Sequence, residues 1–162
     1  MLNFLVLCTG NSARSILLEH ILTHKSDGRI RAYSAGSRPA GQVHPQSLIL
    51  LSELGYDTAK ARSKSWDEFA LADAPRMDAV ITVCGSAADD LCPVWPGLPI
   101  RAHWGIEDPA RATEPDWPAA FDRAYYALNA RAEALFAQPF ETYDRARLQT
   151  ALTKIEKDFH DQ

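Results

Sequence analysis

The feature that most constrains this chain lies in its first fifteen residues. A short apolar run, Phe4-Leu5-Val6-Leu7, ends on Cys8, and Thr9-Gly10-Asn11-Ser12-Ala13-Arg14-Ser15 follows as a helical pattern sets in. This reads as a strand that delivers a thiol into a loop of small residues, with a helix starting from that loop. Such a loop turns several main-chain N–H groups inward, and the helix N-terminus adds partial positive charge, so together they favour a tetrahedral oxyanion. Arg14, six positions after Cys8, can hold two oxygens of that anion in a bidentate grip. The same field is expected to lower the Cys8 pKa and make it a thiolate near neutral pH. A lone cysteine ending a buried strand is more often a small hydrophobe. Here the spacing to arginine, with Gly10 and Asn11 between, favours an anion cradle with a nucleophile at its floor. Thr9, Gly10, Asn11, Ser12, Ala13, Arg14 and Ser15 are the expected oxyanion-binding residues.

From Ser12 to about Lys25 the pattern is helical, with Ile16, Leu17, Ile21 and Leu22 on one period. Asn11 and Glu19 lie near the loop and are placed to orient it. His20 and His24 stand four apart without a third ligand in sight, so they read as solvated helix residues rather than a metal site. Arg29 to Ala35 alternates as a strand and ends at Gly36, a turn residue. Pro45 to Leu54 reads as a helix, with Pro45 in its first turn and Gly55 at its C-terminal cap. Ser65 and Glu68 read as a capping box opening a short helix. Asp78 to Val83 is a continuous run typical of a buried parallel strand, and it ends on Cys84. Gly85 to Leu91 is a short helix or loop closed by Cys92-Pro93. Leu98 to Trp104 reads as a fourth strand, Trp117 to about Phe136 as a helix, and Tyr143 to Phe159 as a terminal helix.

Four strands alternating with helices predict a Rossmann-like α/β fold, a three-layer α/β/α arrangement around a four-stranded parallel sheet. No repeat or linker divides the sequence, so residues 1–162 read as one domain. Ligands of such folds bind beyond the carboxyl ends of the strands. Cys8, Cys84 and Asp108 all follow strand ends, and one crevice could hold all three.

At 162 residues, 46% hydrophobic and 23% charged, the chain has the composition of an ordinary soluble globular domain. A net charge of −4 argues against nucleic acid or an anionic membrane as partner. Its apolar stretches are too short to span a bilayer, and Met1-Leu2-Asn3 offers no basic start to a signal peptide. Three cysteines are an odd count and form no static disulfide framework. A cytoplasmic monomer with its thiols reduced at rest is expected. No Cys-x-x-Cys, G-x-x-x-x-G-K-[ST] or G-x-G-x-x-G motif occurs, and no metal site is expected.

The first fifteen residues resemble the low-molecular-weight tyrosine phosphatase superfamily, whose signature is a Cys-x5-Arg-Ser loop near the N-terminus. In that superfamily an Asp-Pro at this distance supplies the general acid, and Glu107-Asp108-Pro109-Ala110 matches it. Pro109 holds Asp108 extended on a loop, and protonating a leaving oxygen calls for a carboxyl whose pKa is raised by burial or a nearby anion. Cys84 and Cys92 sharpen the resemblance. With Ile81-Thr82-Val83-Cys84, Cys92-Pro93-Val94-Trp95-Pro96-Gly97, Tyr33-Ser34-Ala35-Gly36 and Arg62-Ser63-Lys64-Ser65-Trp66, the chain is similar to the arsenate reductases built on the phosphatase fold, over about residues 1–140. It departs in two places. Ala13 stands where many relatives of the phosphatase branch carry a further cysteine in the loop. Some reductases bind potassium beside the loop through residues matching Asn11, Glu19 and Ser34 plus an acidic side chain, where this chain offers Lys64 and Ser65. A lysine ammonium there would take the ion's place, so no potassium site is expected.

The resemblance implies a mechanism. Arsenate enters the loop, Cys8 attacks arsenic and Asp108 protonates the departing hydroxide. Cys84 then attacks Cys8 sulfur, arsenite leaves, and Cys92 moves the disulfide to Cys84–Cys92. Were residues 84–92 one straight α-helix, their ends would lie about 12 Å apart, against the roughly 4.4–6.8 Å between the Cα atoms of a disulfide. The segment must bend for that bond to form. Thioredoxin, or glutaredoxin with glutathione, is the implied external reductant, and no bound cofactor is required. The rival reading is a protein tyrosine phosphatase with the same cradle and acid, aromatic residues such as Tyr33 and Trp104 gripping a phenyl ring, and idle Cys84 and Cys92. A non-enzymatic anion-binding module would have little use for this set of residues.

Overall fold

The computed structural model describes residues 1–85, 95 and 97–159. Its strands are β1 (Leu2–Cys8), β2 (Ile30–Gly36), β3 (Ala79–Thr82) and β4 (Ile100–His103). They form one parallel sheet in the order β2-β1-β3-β4, the expected four-stranded α/β arrangement. β1 is paired on both edges, and its residues Phe4, Leu5, Val6 and Leu7 are fully buried. Burying side chains of this size contributes about 1.5–3 kcal/mol each, so the strand that carries Cys8 is also the centre of the core. Strands β3 and β4 are shorter than the sequence pattern implies, although hydrogen bonds at Asp78, Val83 and Trp104 continue the ladder past their ends.

The helices are α1 (Arg14–Lys25), α2 (Pro45–Glu53), α3 (Trp117–Phe136) and α4 (Arg145–Asp158). Helix α1 packs on β1 and β2, α4 on β4, and α3 lies against α1, α2 and α4. The first helix begins at Arg14 rather than Ser12. A helix starting at Ser12 would use its carbonyl for the first turn, but His44 N–H and Ser47 Oγ occupy that oxygen at 3.0 and 2.9 Å. Similarly, α4 starts after Asp144, whose carboxylate accepts from Arg147 N–H at 2.8 Å. The box at residues 65–68 forms only in half. Ser65 Oγ accepts from Asp67 N–H at 3.1 Å, while Glu68 reaches away to Arg62 at 2.6 and 3.0 Å.

His24 is exposed as expected, but His20 is packed rather than solvated. His20 is buried with Nδ1 on the Ile16 carbonyl, its ring stacks on His24 at 5.9 Å, and Tyr56 closes over both. Trp95 and Trp104 are buried too, and Trp104 donates its indole N–H to the Leu152 carbonyl. The strand register aligns Cys8 with Gly36, Leu7 with Thr82, and Thr82 with His103. The loops after all four strands therefore open at one edge, where a crevice for ligand lies in such sheets.

Candidate active site

The loop after β1 is shaped by where its carbonyls go. Cys8 O accepts from Ser37 N–H (3.3 Å), Thr9 O from Arg38 N–H (2.9 Å) and Gly10 O from Ala40 N–H (2.9 Å). Ser63 Oγ adds a second bond to Gly10 O (3.1 Å), and Ser12 O is held by His44 and Ser47. In a trans peptide the N–H of the next residue points opposite to the carbonyl. Pinning these oxygens outward therefore turns the N–H groups of Thr9, Gly10, Asn11 and Ala13 to the other side, as a concave anion site requires. The N-terminus of α1 adds its partial positive charge there.

Two residues let the loop close this tightly. Asn11 is fully buried in the left-handed region (φ 48°), which asparagine tolerates better than most residues. Its Nδ2 donates to Ser15 Oγ at 2.8 Å, and its Oδ1 accepts from Lys64 N–H at 3.0 Å. Ser15, expected to bind the oxyanion, thus braces the loop through its hydroxyl. Gly36 does more than end a strand at a turn, for its need is steric: a Cβ there would meet Thr9 O at 2.4 Å and Asn11 Cβ at 3.1 Å. Ser63, Ser47 and His44 were not picked out from the sequence, because a donor to a carbonyl dozens of residues away leaves no local pattern.

Lys64 is buried and donates Nζ to the Arg62 carbonyl at 3.0 Å. Burial pushes its pKa down, and the Glu19 carboxylate opposes that shift. A potassium ion at Asn11, Glu19 and Ser34 would meet this ammonium as a like charge, while the Asn11 amide is already committed to Ser15 and Lys64. The residues do not fit a potassium site. Among the described residues no group of three or more His, Cys, Asp or Glu side chains is arranged to hold a metal ion.

Arg14 opens α1 and reaches across to the loop after β4. Nη1 donates to the Ile106 carbonyl at 3.1 Å, Nη2 lies 3.5 Å from Asp108 Oδ2, and Nε is buried without a partner among the described residues. Asp108 also accepts the Ala110 N–H at 3.0 Å, capping the short turn Pro109–Arg111. Its side chain is 31% exposed, against 13% for Arg14. The acid is at the rim of the site and the guanidinium within it.

Cys84 is brought to the same place. Its Sγ accepts from Thr9 N–H at 3.2 Å and lies 3.4 Å from Thr9 Oγ1. Both Cys8 and Cys84 are buried. The expectation of a lowered Cys8 pKa is not met in this arrangement. A hydrogen bond with Cys84, and then burial, push the Cys8 thiol well above its usual range, while Arg14 and the Thr9 N–H pull the other way. Two thiols in contact titrate as a pair, and the second proton leaves against the charge of the first. Cys92 lies outside the described residues. Tyr33 packs on Phe69 at 5.5 Å and Trp104 is buried under α4, so Trp104 is no part of an aromatic mouth.

The sequence matches the family described as low molecular weight phosphotyrosine protein phosphatase over residues 3–154. The chain is 40% identical to an arsenate reductase of Bacillus subtilis over 119 residues, 72% of this chain and 82% of that one. Among solved structures, one described as an arsenate reductase in the phosphate binding state superposes with a TM-score of 0.69 at 28% identity, covering 85% of this chain and 98% of the other. A thioredoxin-dependent arsenate reductase of Corynebacterium glutamicum superposes with a TM-score of 0.62 at 26% identity, covering 85% of this chain and 61% of that one. With its cysteine-and-arginine loop at the carboxyl edge of a parallel sheet, the chain belongs to the low-molecular-weight phosphotyrosine protein phosphatase family.

Proposed function

We propose that this protein reduces arsenate to arsenite by a thiol relay from Cys8 to Cys84 to Cys92, with an external dithiol protein of the thioredoxin type, or glutaredoxin with glutathione, restoring the thiols. The observation that carries this reading is the second thiol: Cys84 Sγ is held by both the N–H and the hydroxyl of Thr9, the residue next to Cys8. Hydrolysis of a phosphate ester needs one thiol, and a neighbouring thiol would be idle in it. Reduction needs two. The similarity to arsenate reductases supports the same choice.

Arsenate is a tetrahedral oxyanion, and the N–H groups of Gly10, Asn11 and Ala13 with Arg14 offer donors on several sides of it. Transfer of one proton from the Cys8–Cys84 pair to the incoming arsenate leaves a single proton between the two sulfurs. With that proton on Cys84, Cys8 is the thiolate and attacks arsenic. Asp108 at the rim gives a proton to the departing hydroxide. Cys84 gives its proton to an arsenic-bound oxygen and, as thiolate, attacks Cys8 sulfur. The electrons of the sulfur–arsenic bond leave with arsenic, so arsenic gains two electrons and two sulfurs become a disulfide. Cys92 attacks Cys84 in turn and frees Cys8. The reading takes residues 1–162 as one cytoplasmic, monomeric domain without a bound cofactor. No helix among the described residues is long and apolar enough to cross a membrane.

The test is NADPH consumption on adding arsenate, with thioredoxin and its reductase present, beside para-nitrophenyl phosphate hydrolysis by the same sample. Arsenate-dependent oxidation that vanishes in Cys84→Ser is expected. Brisk phosphate release without NADPH oxidation would instead make the protein a phosphatase.

A further inference from the structure

The turn that carries Asp108 is closed locally by Ala110, Arg111 and Ala112 N–H groups, but these bonds do not fix where it sits over the cradle. One outside tie is Arg14, through Ile106 O and Asp108. An oxyanion must take part of that guanidinium, so this tie weakens when substrate binds. A second tie does not touch the oxyanion. Trp117, the first residue of α3, donates Nε1–H to the Ala112 carbonyl at 2.8 Å, at the end of the Asp108 turn. Its ring meets the His44 ring edge-on, 4.5 Å between centroids at 81°. His44 is in turn fixed to the cradle, since its N–H donates to Ser12 O at 3.0 Å.

The His44 ring has little freedom. Nδ1 accepts the Gln46 N–H at 3.0 Å as the N-cap of α2, so the neutral ring carries its proton on Nε2. Phe121 packs on it at 4.7 Å between centroids. Burial pushes the His44 pKa down and the nearby Asp108 carboxylate opposes this, consistent with the ring and the acid being neighbours.

We infer that His44 and Trp117 form a clasp that holds the Asp108 turn in register with the cradle when Arg14 is engaged by the oxyanion. Both are positioning residues acting through Asp108, and the inference rests on the proposed acid role of that residue. Misplacing an acid by an ångström can cost orders of magnitude in rate.

The test is a mutant cycle on steady-state arsenate reduction, with inhibition by inorganic phosphate as the measure of cradle affinity. Trp117→Leu is expected to lower kcat about tenfold with the phosphate inhibition constant within about twofold of wild type. In an Asp108→Asn background the same substitution should lower kcat less than about twofold, because the acid it positions is already gone. Trp117→Phe keeps the ring against His44 and loses only the indole N–H, so its loss should be smaller, and His44→Asn keeps the helix cap while removing the ring. Hydrogen exchange at the amides of Ala110, Arg111 and Ala112 should quicken in Trp117→Leu and Trp117→Phe, with exchange in β1 unchanged. Equal losses in both backgrounds, or unchanged exchange at the turn, would overturn the clasp and leave Trp117 a packing residue. If Trp117→Leu does not fold, Trp117→Phe and His44→Asn decide the question by the same readouts. An inactive wild-type protein would contradict the proposed reduction, while the exchange measurement would still decide the clasp.

Discussion

The loop after β1 and the turn after β4 face the same site but are held in different ways. The first is built from the inside out: its carbonyls are bound by Ser37, Arg38, Ala40, His44, Ser47 and Ser63, and Asn11 locks its tightest residue from both sides. The second reaches the site through Arg14 and through the Trp117 indole. An anion cradle works by fixed donors that need no rearrangement as charge develops. A proton donor must instead respond to the anion that arrives, and its weaker tethering fits that task. Recognition is built into the core, and proton delivery is attached to it.

Substitutions can break this division. Cys8→Ser should lower turnover at least about 10⁴-fold, as loss of a nucleophile does, checked by NADPH-coupled arsenate reduction. Arg14→Lys loses the planar fork that serves both the oxyanion and the turn, so kcat/KM should fall about 10³-fold. Asp108→Asn touches only the second region. Steady-state kinetics should show kcat down about 10²-fold with phosphate inhibition nearly unchanged. Should Asp108→Asn weaken phosphate binding as much as Arg14→Lys does, the two regions are not separate.

The remaining predictions sharpen the picture of the cradle. In Gly36→Ala the added methyl meets the Thr9 carbonyl at 2.4 Å, and the surrounding backbone has little room to shift. Thermal or urea unfolding should show a loss of about 1–3 kcal/mol, with phosphate affinity reduced because the cradle itself is distorted. Cys84→Ala removes the largest influence raising the Cys8 pKa and leaves burial against Arg14 and the Thr9 N–H. The sign is downward: thiolate at Cys8 should form at lower pH than in wild type, read from the pH dependence of iodoacetamide alkylation. An unmoved profile would mean that the two thiols do not share a proton.

Much of the first region was legible in the sequence because its chemistry is local. Strand, thiol, small residues and arginine occur within fourteen positions, and the alternation of strands with helices placed Cys84 and Asp108 at the same edge. The pins were not legible. Ser63 lies 53 residues from the Gly10 carbonyl it holds, and Ser47 lies 35 from Ser12, so neither has a spacing that announces it. Gly36 shows the same limit, since a glycine at a strand end looks alike in sequence whether a turn or a close approach of two backbones requires it. The expected Cys8 pKa failed for a related reason. The loop's own field is local to residues 8–15, whereas the thiol that opposes it arrives from the end of β3, 76 residues later. His20 departs from the solvated reading, while His24 keeps it, because nothing in α1 itself shows Tyr56 closing over the buried ring.

The most direct test of the central claim needs no external reductant. Fully reduced protein is mixed with excess arsenate, and released arsenite and remaining thiols are counted. The relay predicts one arsenite released and two thiols lost per chain, and no arsenite from Cys84→Ser. Absence of arsenite from the wild-type protein, with all three thiols intact and steady hydrolysis of para-nitrophenyl phosphate, would contradict it.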